Sequence, residues 1–435
     1  MKKQMGKNIV NTYVTGMGII TSAGDSVQNF ERALKNGTSN IGYSQNKSVN
    51  HSHVICGEVH EDSVHNRLDK YMNAAYIPER SKKSARSLIY KSSYQVQAAL
   101  ATVFEAFCQA DLFDSPIAGE RMSIIVSGNN LTNSLQQKNY DKSRINPEYL
   151  SPQLALQFMD TYHIGVISEV FGIKGEGFTT GGASASGNVA IIKAKQLIDS
   201  GLADLCIVVG SLADLTDMEL QTFYNIGALG GKKYINEPEQ ACRPFDENHE
   251  GFIYGQGAGC LILENEKSVN ARGCRPVAEI LGGVMQLDGN HSSNPNEVGE
   301  IQVIQRVLYE TGTDFGEINY INAHGTSSPL GDETELNAIR KVFKEHACDI
   351  WINSTKGITG HCLYSAGIIE AIASIIQMEA GFVHPNINLD NPIDGNLKLA
   401  GKSMIPVEIK MALSNSFGFG GINTSVLLKN VKYSL

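Results

Sequence analysis

The sequence predicts a layered α/β protein built from two related halves. Short runs rich in Val and Ile alternate with segments of helical periodicity along almost the whole chain, as strands and helices do in layered folds. A weak internal repeat is the second observation. The third is composition: 43 of the 435 residues are glycine and only 12 are proline, which favours tight backbone geometry over disorder.

Several elements can be placed from local signals. Ser26 is a good helix N-cap and Gly37 a good helix stop, so residues 27–36 predict a helix with one apolar face. Two polar stretches, 43–66 and 136–152, predict irregular surface insertions. Runs rich in β-branched residues predict strands at 121–127, 205–210, 318–322 and 349–353.

The internal repeat divides the chain. The segments ASASGNVAIIKA, from Ala183, and LYSAGIIEAIAS, from Leu363, both begin with small residues, carry a glycine in the first turn and continue as apolar helices. The glycine-rich segment GFIYGQGAGCLILE, from Gly251, has a counterpart in SFGFGGINTSVLLK near the C-terminus. Two halves, residues 1–268 and 269–435, explain these pairs better than three unrelated domains.

Composition argues against several classes of protein. The net charge is −9, from 36 Lys and Arg against 45 Asp and Glu, so nucleic-acid binding is not expected. The 8 cysteines form no CxxC pair, which predicts reduced thiols in a cytoplasmic protein. The N-terminal MKKQMGKNIV is basic, but no apolar run of sufficient length follows it. We therefore expect neither a targeting segment nor a membrane span.

Three motifs suggest a cofactor site or a metal site, but their residue spacing does not match the known binding motifs. Gly16-Met17-Gly18 lacks the third glycine of a dinucleotide fingerprint, so we expect a structural turn there. The segment GALGGKK misses the phosphate-loop spacing. The histidine-rich stretch at 51–65 lacks a zinc spacing, so a solvated loop is expected and no metal.

The segment GFTTGGASASGNVAIIKAKQLI predicts a sharp strand-to-helix turn. A short strand ends at Gly181 and Gly182, and small residues then open an apolar helix, which places Ser184 over the helix N-terminus. Backbone N–H groups there favour a developing negative charge. An ordinary N-cap serine would not need the glycine pair. A serine-hydrolase turn would need glycine where Ser186 stands.

Two histidines and a lysine follow predicted strands. His324 comes directly after the run INYIN, in NAHGTSSPLGDETE, while Lys356 and His361 come after DIWIN, in STKGITGHCLYSAG. Ligands of open α/β sheets bind at strand ends, so these side chains are candidate site residues. Either histidine alone could equally be structural.

These segments, together with RPFDENHEGFIYGQGAG and SNSFGFGGIN, resemble the successive signature segments of the β-ketoacyl-ACP synthases, the condensing enzymes of fatty-acid and polyketide synthesis. The resemblance runs from about residue 13 to residue 428. It implies the thiolase fold, with two duplicated halves in five α/β/α/β/α layers, and a homodimer. The first half would carry Ser184, and the second His324, Lys356 and His361.

The resemblance also implies roles for single residues. Aligning the Ser-Gly of the family's TACSSG-like segment on Ser186-Gly187 places the family's reactive cysteine at Ser184. No cysteine of this chain falls at that position. The other matches are the two active-site histidines, the family lysine with its acidic partner, and the phenylalanine gate: His324 and His361, Lys356 and Glu335, Phe417 and Phe419.

Serine in place of cysteine changes the expected chemistry. A thiol near a helix N-terminus ionises readily and accepts an acyl chain, whereas a hydroxyl does not. Decarboxylation of a malonyl thioester needs hydrogen-bond donors to the enolate oxygen, and both histidines remain. We therefore expect malonyl-ACP to become acetyl-ACP and CO₂, with Ser184 and the backbone at Phe419 orienting the substrate. Lys356 and Glu335 would organise the histidines.

The chain resembles most closely the Ser-for-Cys members of the family, which supply acetyl-ACP for β-branching in bacterial polyketide pathways. Two other functions stay open at this point. A silent partner of a ketosynthase, similar to a chain-length factor, would have no chemical need of the histidines. An acyltransferase using Ser184 as a slow nucleophile would form a covalent acyl-enzyme.

The expected partner is a malonyl-loaded acyl carrier protein. It brings its own phosphopantetheine, so no cofactor is expected in this chain. Carrier proteins are acidic, and docking one on an acidic enzyme needs a local basic patch. The segment ERSKKSARSLIYK offers such a patch, although an ordinary solvated helix end would look the same. The candidate docking residues are Arg80, Lys82, Lys83 and Arg86.

Overall fold

The computed structural model describes residues 10–433, so nearly all of the basic N-terminal segment considered above as a targeting signal lies outside the described residues. The elements of the first half are the strands β1 (Thr12–Thr21), β2 (Ile41–Val49), β3 (Ser52–Gly57), β4 (Met122–Ser127), β5 (Gly177–Thr180), β6 (Leu205–Gly210), β7 (Tyr254–Gly255) and β8 (Gly257–Asn265). Its helices are α1 (Val27–Asn36), α2 (Glu61–Asn73), α3 (Glu79–Ile89), α4 (Tyr94–Gln109), α5 (Asn133–Ile145), α6 (Leu154–Gln157), α7 (Thr161–Phe171), α8 (Ser186–Asp199), α9 (Asp217–Asn225) and α10 (Glu266–Arg272).

The second half continues with the strands β9 (Ala278–Leu287), β10 (Tyr320–Asn322), β11 (Trp351–Asn353), β12 (Phe382–Val383), β13 (Ile405–Pro406), β14 (Met411–Gly418) and β15 (Ile422–Lys429). Its helices are α11 (Glu297–Thr311), α12 (Pro329–Phe343), α13 (Lys356–Thr359) and α14 (Ala366–Ala380).

The two halves have the same sheet topology. The first half gives the strand order β5-β4-β6-β8-β1 and the second gives β11-β10-β14-β15-β9, so corresponding strands take corresponding places. In each half the first two pairings are parallel and the last two antiparallel. Strands β1 and β9 join the halves through Tyr13–Glu279 and Val14–Ala278. This shared topology agrees with the repeat seen in the sequence.

The helices α8 and α14 cross between the halves at their N-terminal glycines. A Cβ on Gly187 would lie 2.7 Å from the backbone nitrogen of Ile368, and one on Gly367 would lie 2.7 Å from that of Asn188. Each helix follows a single 3₁₀ turn whose first residue is left-handed, with φ of 48° at Ala183 and 51° at Leu363. The crossing therefore brings the two repeated turns against each other.

Most of the predicted elements are confirmed. Helix α1 covers residues 27–36, with the Ser26 hydroxyl accepting from the Asn29 N–H and Gly37 left-handed at φ 63°. The four predicted strands are β4, β6, β10 and β11. One segment, Leu363–Ala380, is long and apolar enough to cross a membrane, but 83% of it is buried inside the protein. It is the core helix α14 with its preceding turn.

Two predictions about irregular structure are wrong. Residues 43–66 include the hairpin β2–β3 and the start of α2, and residues 136–145 belong to α5. Residues 136–145 are polar and mostly exposed, so apolar periodicity could not reveal α5. The 43–66 region does contain one short apolar run, Val54, Ile55 and Cys56, which is buried in β3. Gly16 and Gly18 form no turn either: they lie within β1, where a Cβ on Gly18 would overlap the Thr102 carbonyl oxygen of α4. These glycines allow α4 to pack closely on the strand.

Candidate active site

One cavity of about 600 Å³ gathers the residues that the sequence analysis singled out. Ser184 reaches it from the turn before α8, His324 from the loop after β10, His361 from the turn before α14, and Phe417 from the end of β14. The crossing of α8 and α14 explains why Ser184 and His361, which are 177 residues apart in sequence, meet here.

Ser184 and His361 are in direct contact. The Ser184 Oγ lies 2.9 Å from the His361 Nε2. The other ring nitrogen of His361, Nδ1, accepts the backbone N–H of Leu363 at 3.3 Å. Because Nδ1 is an acceptor, the proton of the neutral ring resides on Nε2. His361 therefore donates to the Ser184 oxygen.

His324 is held in the same tautomer by Lys356. The Lys356 ammonium donates to the His324 carbonyl oxygen at 2.6 Å and lies 3.4 Å from the His324 Nδ1. An Nδ1 that faces an ammonium is an acceptor, so Nε2 carries the proton here as well. The two imidazole rings lie 5.6 Å apart at 83°. The site thus presents two Nε2–H donors.

Both histidines are neutral. Burial lowers the pKa of His324 well below its usual value, and the Lys356 charge and His361 lower it further. Burial likewise lowers the pKa of His361 well below its usual value, again helped by Lys356. A neutral imidazole protonated at Nε2 still has an N–H that can donate to a developing oxyanion.

The acidic partner of Lys356 is Glu370, so the assignment of Glu335 to that position is wrong. The Lys356 ammonium and the Glu370 carboxylate form an ion pair in which both side chains are buried. Glu335 instead accepts the backbone N–H groups of His324 and Gly325, each at 2.9 Å. It therefore fixes the main chain at His324. A lone acid in the apolar segment IIEAIAS was the signal for Glu370.

The loop that carries His324 is tied to the RPFDENHEG segment. The buried carboxylate of Asp332, on α12, accepts from the Phe245 N–H at 2.8 Å and from the Ser327 N–H at 3.1 Å. It also contacts the His249 Nδ1 at 2.9 Å. This network holds the loop without touching the cavity. The first part of the motif therefore supports the loop, whereas Glu250 at its end lines the cavity.

The two phenylalanines take different positions. Phe417 is buried with its ring 5.6 Å from that of His324. Phe419 also lines the cavity but is 40% exposed, with its ring 6.2 Å from that of Phe223. Phe417 therefore shapes the interior and Phe419 the opening.

Cys362, next to His361, is unsuited to act as a nucleophile in place of Ser184. Burial raises the pKa of its thiol to about 12. Within residues 10–433 no group of three or more His, Cys, Asp or Glu side chains is placed to hold a metal ion.

The basic patch on α3 is partly neutralised. The Lys82 ammonium and the Arg86 guanidinium each lie 3.1 Å from the Glu79 carboxylate. They also donate to backbone carbonyls of the preceding segment. Arg80 and Lys83 are exposed and form no ion pair with any residue that the structure describes. Two of the four candidate docking residues are therefore available to a partner.

Comparison with known proteins identifies the family. Residues 11–268 match the N-terminal domain of the β-ketoacyl synthases, and residues 277–390 match their C-terminal domain. The chain belongs to the β-ketoacyl synthase family. The resemblance noted in the signature segments is thereby confirmed.

Relatives of this ketosynthase-family chain include the polyketide biosynthesis malonyl-ACP decarboxylase PksF of Bacillus subtilis (strain 168), 38% identical over 98% of both proteins. A solved β-ketoacyl synthase from Burkholderia phymatum STM815 superposes with a TM-score of 0.82 at 26% identity, covering 97% of this chain and 99% of that one. A type II PKS ketosynthase solved in complex with its acyl-carrier protein superposes with a TM-score of 0.82 at 25% identity. The superposition covers 97% of this chain and 100% of that one. The expected thiolase-like fold is confirmed.

Proposed function

We propose that this member of the family is a malonyl-ACP decarboxylase, which converts malonyl-ACP to acetyl-ACP and CO₂ for β-branching in bacterial polyketide biosynthesis. The observation that carries the proposal is the pair of adjacent histidines, one of which contacts Ser184, the residue that the family resemblance aligns with the reactive cysteine. The 38% identity to a malonyl-ACP decarboxylase over the full length supports it.

The site chemistry follows from the two Nε2–H donors. The thioester oxygen of the malonyl group is placed between His324 and His361. When the bond to CO₂ breaks, its electron pair moves onto the thioester and negative charge accumulates on that oxygen. A preorganised donor of this kind contributes about 3–4 kcal/mol to the transition state. Ser184 and the backbone at Phe419 orient the thioester.

A serine-dependent acyltransferase fits this geometry less well. Activating the Ser184 hydroxyl requires a base that accepts its proton. The His361 Nε2 already carries a proton, because the Leu363 N–H occupies Nδ1. A non-catalytic partner similar to a chain-length factor would not need oriented histidines. Here Lys356 orients the His324 ring and the Leu363 N–H orients the His361 ring.

Two substitutions of Ser184 test the proposal. Ser184→Ala should convert malonyl-ACP to acetyl-ACP within about 10-fold of the unmodified protein, because the two histidine donors, which carry the larger share of the stabilisation, are intact. Ser184→Cys should additionally become acylated by an acyl-ACP, because a thiol ionises far more readily than a hydroxyl. Mass spectrometry of carrier and enzyme measures both results. Unchanged malonyl-ACP after incubation with the unmodified protein would show the proposal to be wrong.

Arg80 and Lys83 are proposed to dock the acidic carrier protein. Reversing both charges, as Arg80→Glu with Lys83→Glu, should raise KM for malonyl-ACP about 10-fold at low salt and leave kcat unchanged, because only the encounter is affected. Lys174→Glu with Lys267→Glu, which reverses the same number of charges at exposed positions outside α3, is the matched control. An equal KM for both variants would exclude this patch as the docking site.

We also propose a cytoplasmic homodimer. The short strand β5 ends the sheet with partly exposed residues, so its unpaired edge is available to a second copy. Light scattering of the purified chain would report the mass, and a monomer at micromolar concentration would contradict the proposal.

A further inference from the structure

A buried carboxyl group in the cavity has no role in the scheme above. Glu300 lies in the first turn of α11, only 1% exposed, and lines the same cavity as Ser184 and His324. Its Oε2 is buried and has no hydrogen-bond partner among the described residues. An unpaired buried carboxyl oxygen is costly, so its retention in a reaction cavity calls for a function.

The surroundings of Glu300 favour its protonated form. Burial raises its pKa well above the usual value, and the neighbouring carboxylates of Glu335, Asp288 and Glu297 raise it further. No cation in the described structure pairs with it. The protonated form of Glu300 is therefore favoured, at the wall of the cavity.

Other carboxyl groups lining the cavity are already engaged. Asp288 accepts the Asn423 side-chain N–H at 2.7 Å. Glu250 accepts the backbone N–H of Lys233 at 3.1 Å. The histidine protons are directed to the thioester oxygen in the mechanism above. Of these acids, Glu300 alone combines full burial with an unpartnered oxygen.

Decarboxylation without condensation requires a proton at carbon. We propose, on the basis of the proposed function, that Glu300 is the acid that protonates the enolate carbon to form the acetyl group. Loss of CO₂ leaves an electron pair shared between that carbon and the thioester oxygen. The Glu300 O–H bond breaks as the new C–H bond forms, and the resulting Glu300 carboxylate regains a proton from water at the cavity mouth.

Glu300→Gln separates this role from a structural one. The amide keeps the shape but has no acidic proton, so kcat should fall about 100-fold, the lower end for general acid catalysis, with KM for malonyl-ACP within about two-fold. An enolate that waits for a proton can recapture CO₂. With carbon-13-labelled CO₂ in solution, Glu300→Gln should incorporate label into the malonyl carboxylate, whereas the unmodified protein should not.

Glu310→Gln is the matched control, since Glu310 lies near the other end of the same helix, is exposed and pairs with Arg306. It should behave as the unmodified protein. If Glu300→Gln lowers activity without label exchange, or leaves kcat unchanged, the inference is wrong while the proposed function stands. If the unmodified protein releases no CO₂ from malonyl-ACP, the proposed function fails and the inference with it.

Discussion

Replacing His324 by alanine is expected to slow the conversion of malonyl-ACP to acetyl-ACP by about 100- to 1000-fold. The reason is the loss of one preorganised Nε2–H donor, which costs about 3–4 kcal/mol of transition-state stabilisation. The donor depends on Lys356, whose ammonium lies 3.4 Å from the His324 Nδ1. The rate of CO₂ release with saturating malonyl-ACP measures the effect.

The matched control is His53→Ala, because His53 is exposed on β3. It should retain full activity. The comparison with Ser184→Ala is equally informative, since that variant should stay within about 10-fold of the unmodified protein. Equal losses in His324→Ala and Ser184→Ala would contradict the division of roles between the histidine donors and the serine.

Replacing Glu370 by glutamine is expected to lower the free energy of unfolding by about 3–5 kcal/mol, because it leaves the Lys356 ammonium buried without its carboxylate. Both side chains are at most 2% exposed, so water cannot compensate. Urea denaturation followed by circular dichroism measures the loss. The variant should also lose activity, because Lys356 holds His324.

A surface pair provides the control for Glu370→Gln. Lys402 and Asp390 form an ion pair in which both side chains are about half exposed, and Lys402→Gln should cost at most about 1 kcal/mol. Replacing both buried partners, as Lys356→Met with Glu370→Leu, should cost less than Glu370→Gln alone, because no unpaired charge remains. A double variant less stable than Glu370→Gln would contradict this account.

Local chemistry made the elements and much of the site predictable. Ser26 and Gly37 located α1 because capping depends on neighbouring residues. Ser184, His324, Lys356 and His361 were identified from strand ends, a glycine-framed turn and the family's signature segments. The structure brings all four together. Each of these signals lies within a short stretch of chain, so it can be recognised in the sequence before the fold is known.

What the sequence did not reveal depends on contacts between distant segments. Glu370 pairs with Lys356 only because α14 runs beneath the loop after β11. The sequence around Gly18 predicts a turn. Only the packing of α4 against β1 shows that this glycine is needed for a close helix–strand contact. Glu300 is one acid among several in a polar helix start, and its burial follows from the packing of α11 against β15 and β9.

The central claim is that this protein removes CO₂ from malonyl-ACP without becoming acylated. One experiment tests it: incubation of the purified chain with malonyl-ACP, followed by intact mass spectrometry of both proteins from the same tube. The account predicts a carrier that has lost the mass of CO₂ and an enzyme of unchanged mass. A malonyl-ACP that persists, or an acyl group on Ser184, would contradict it.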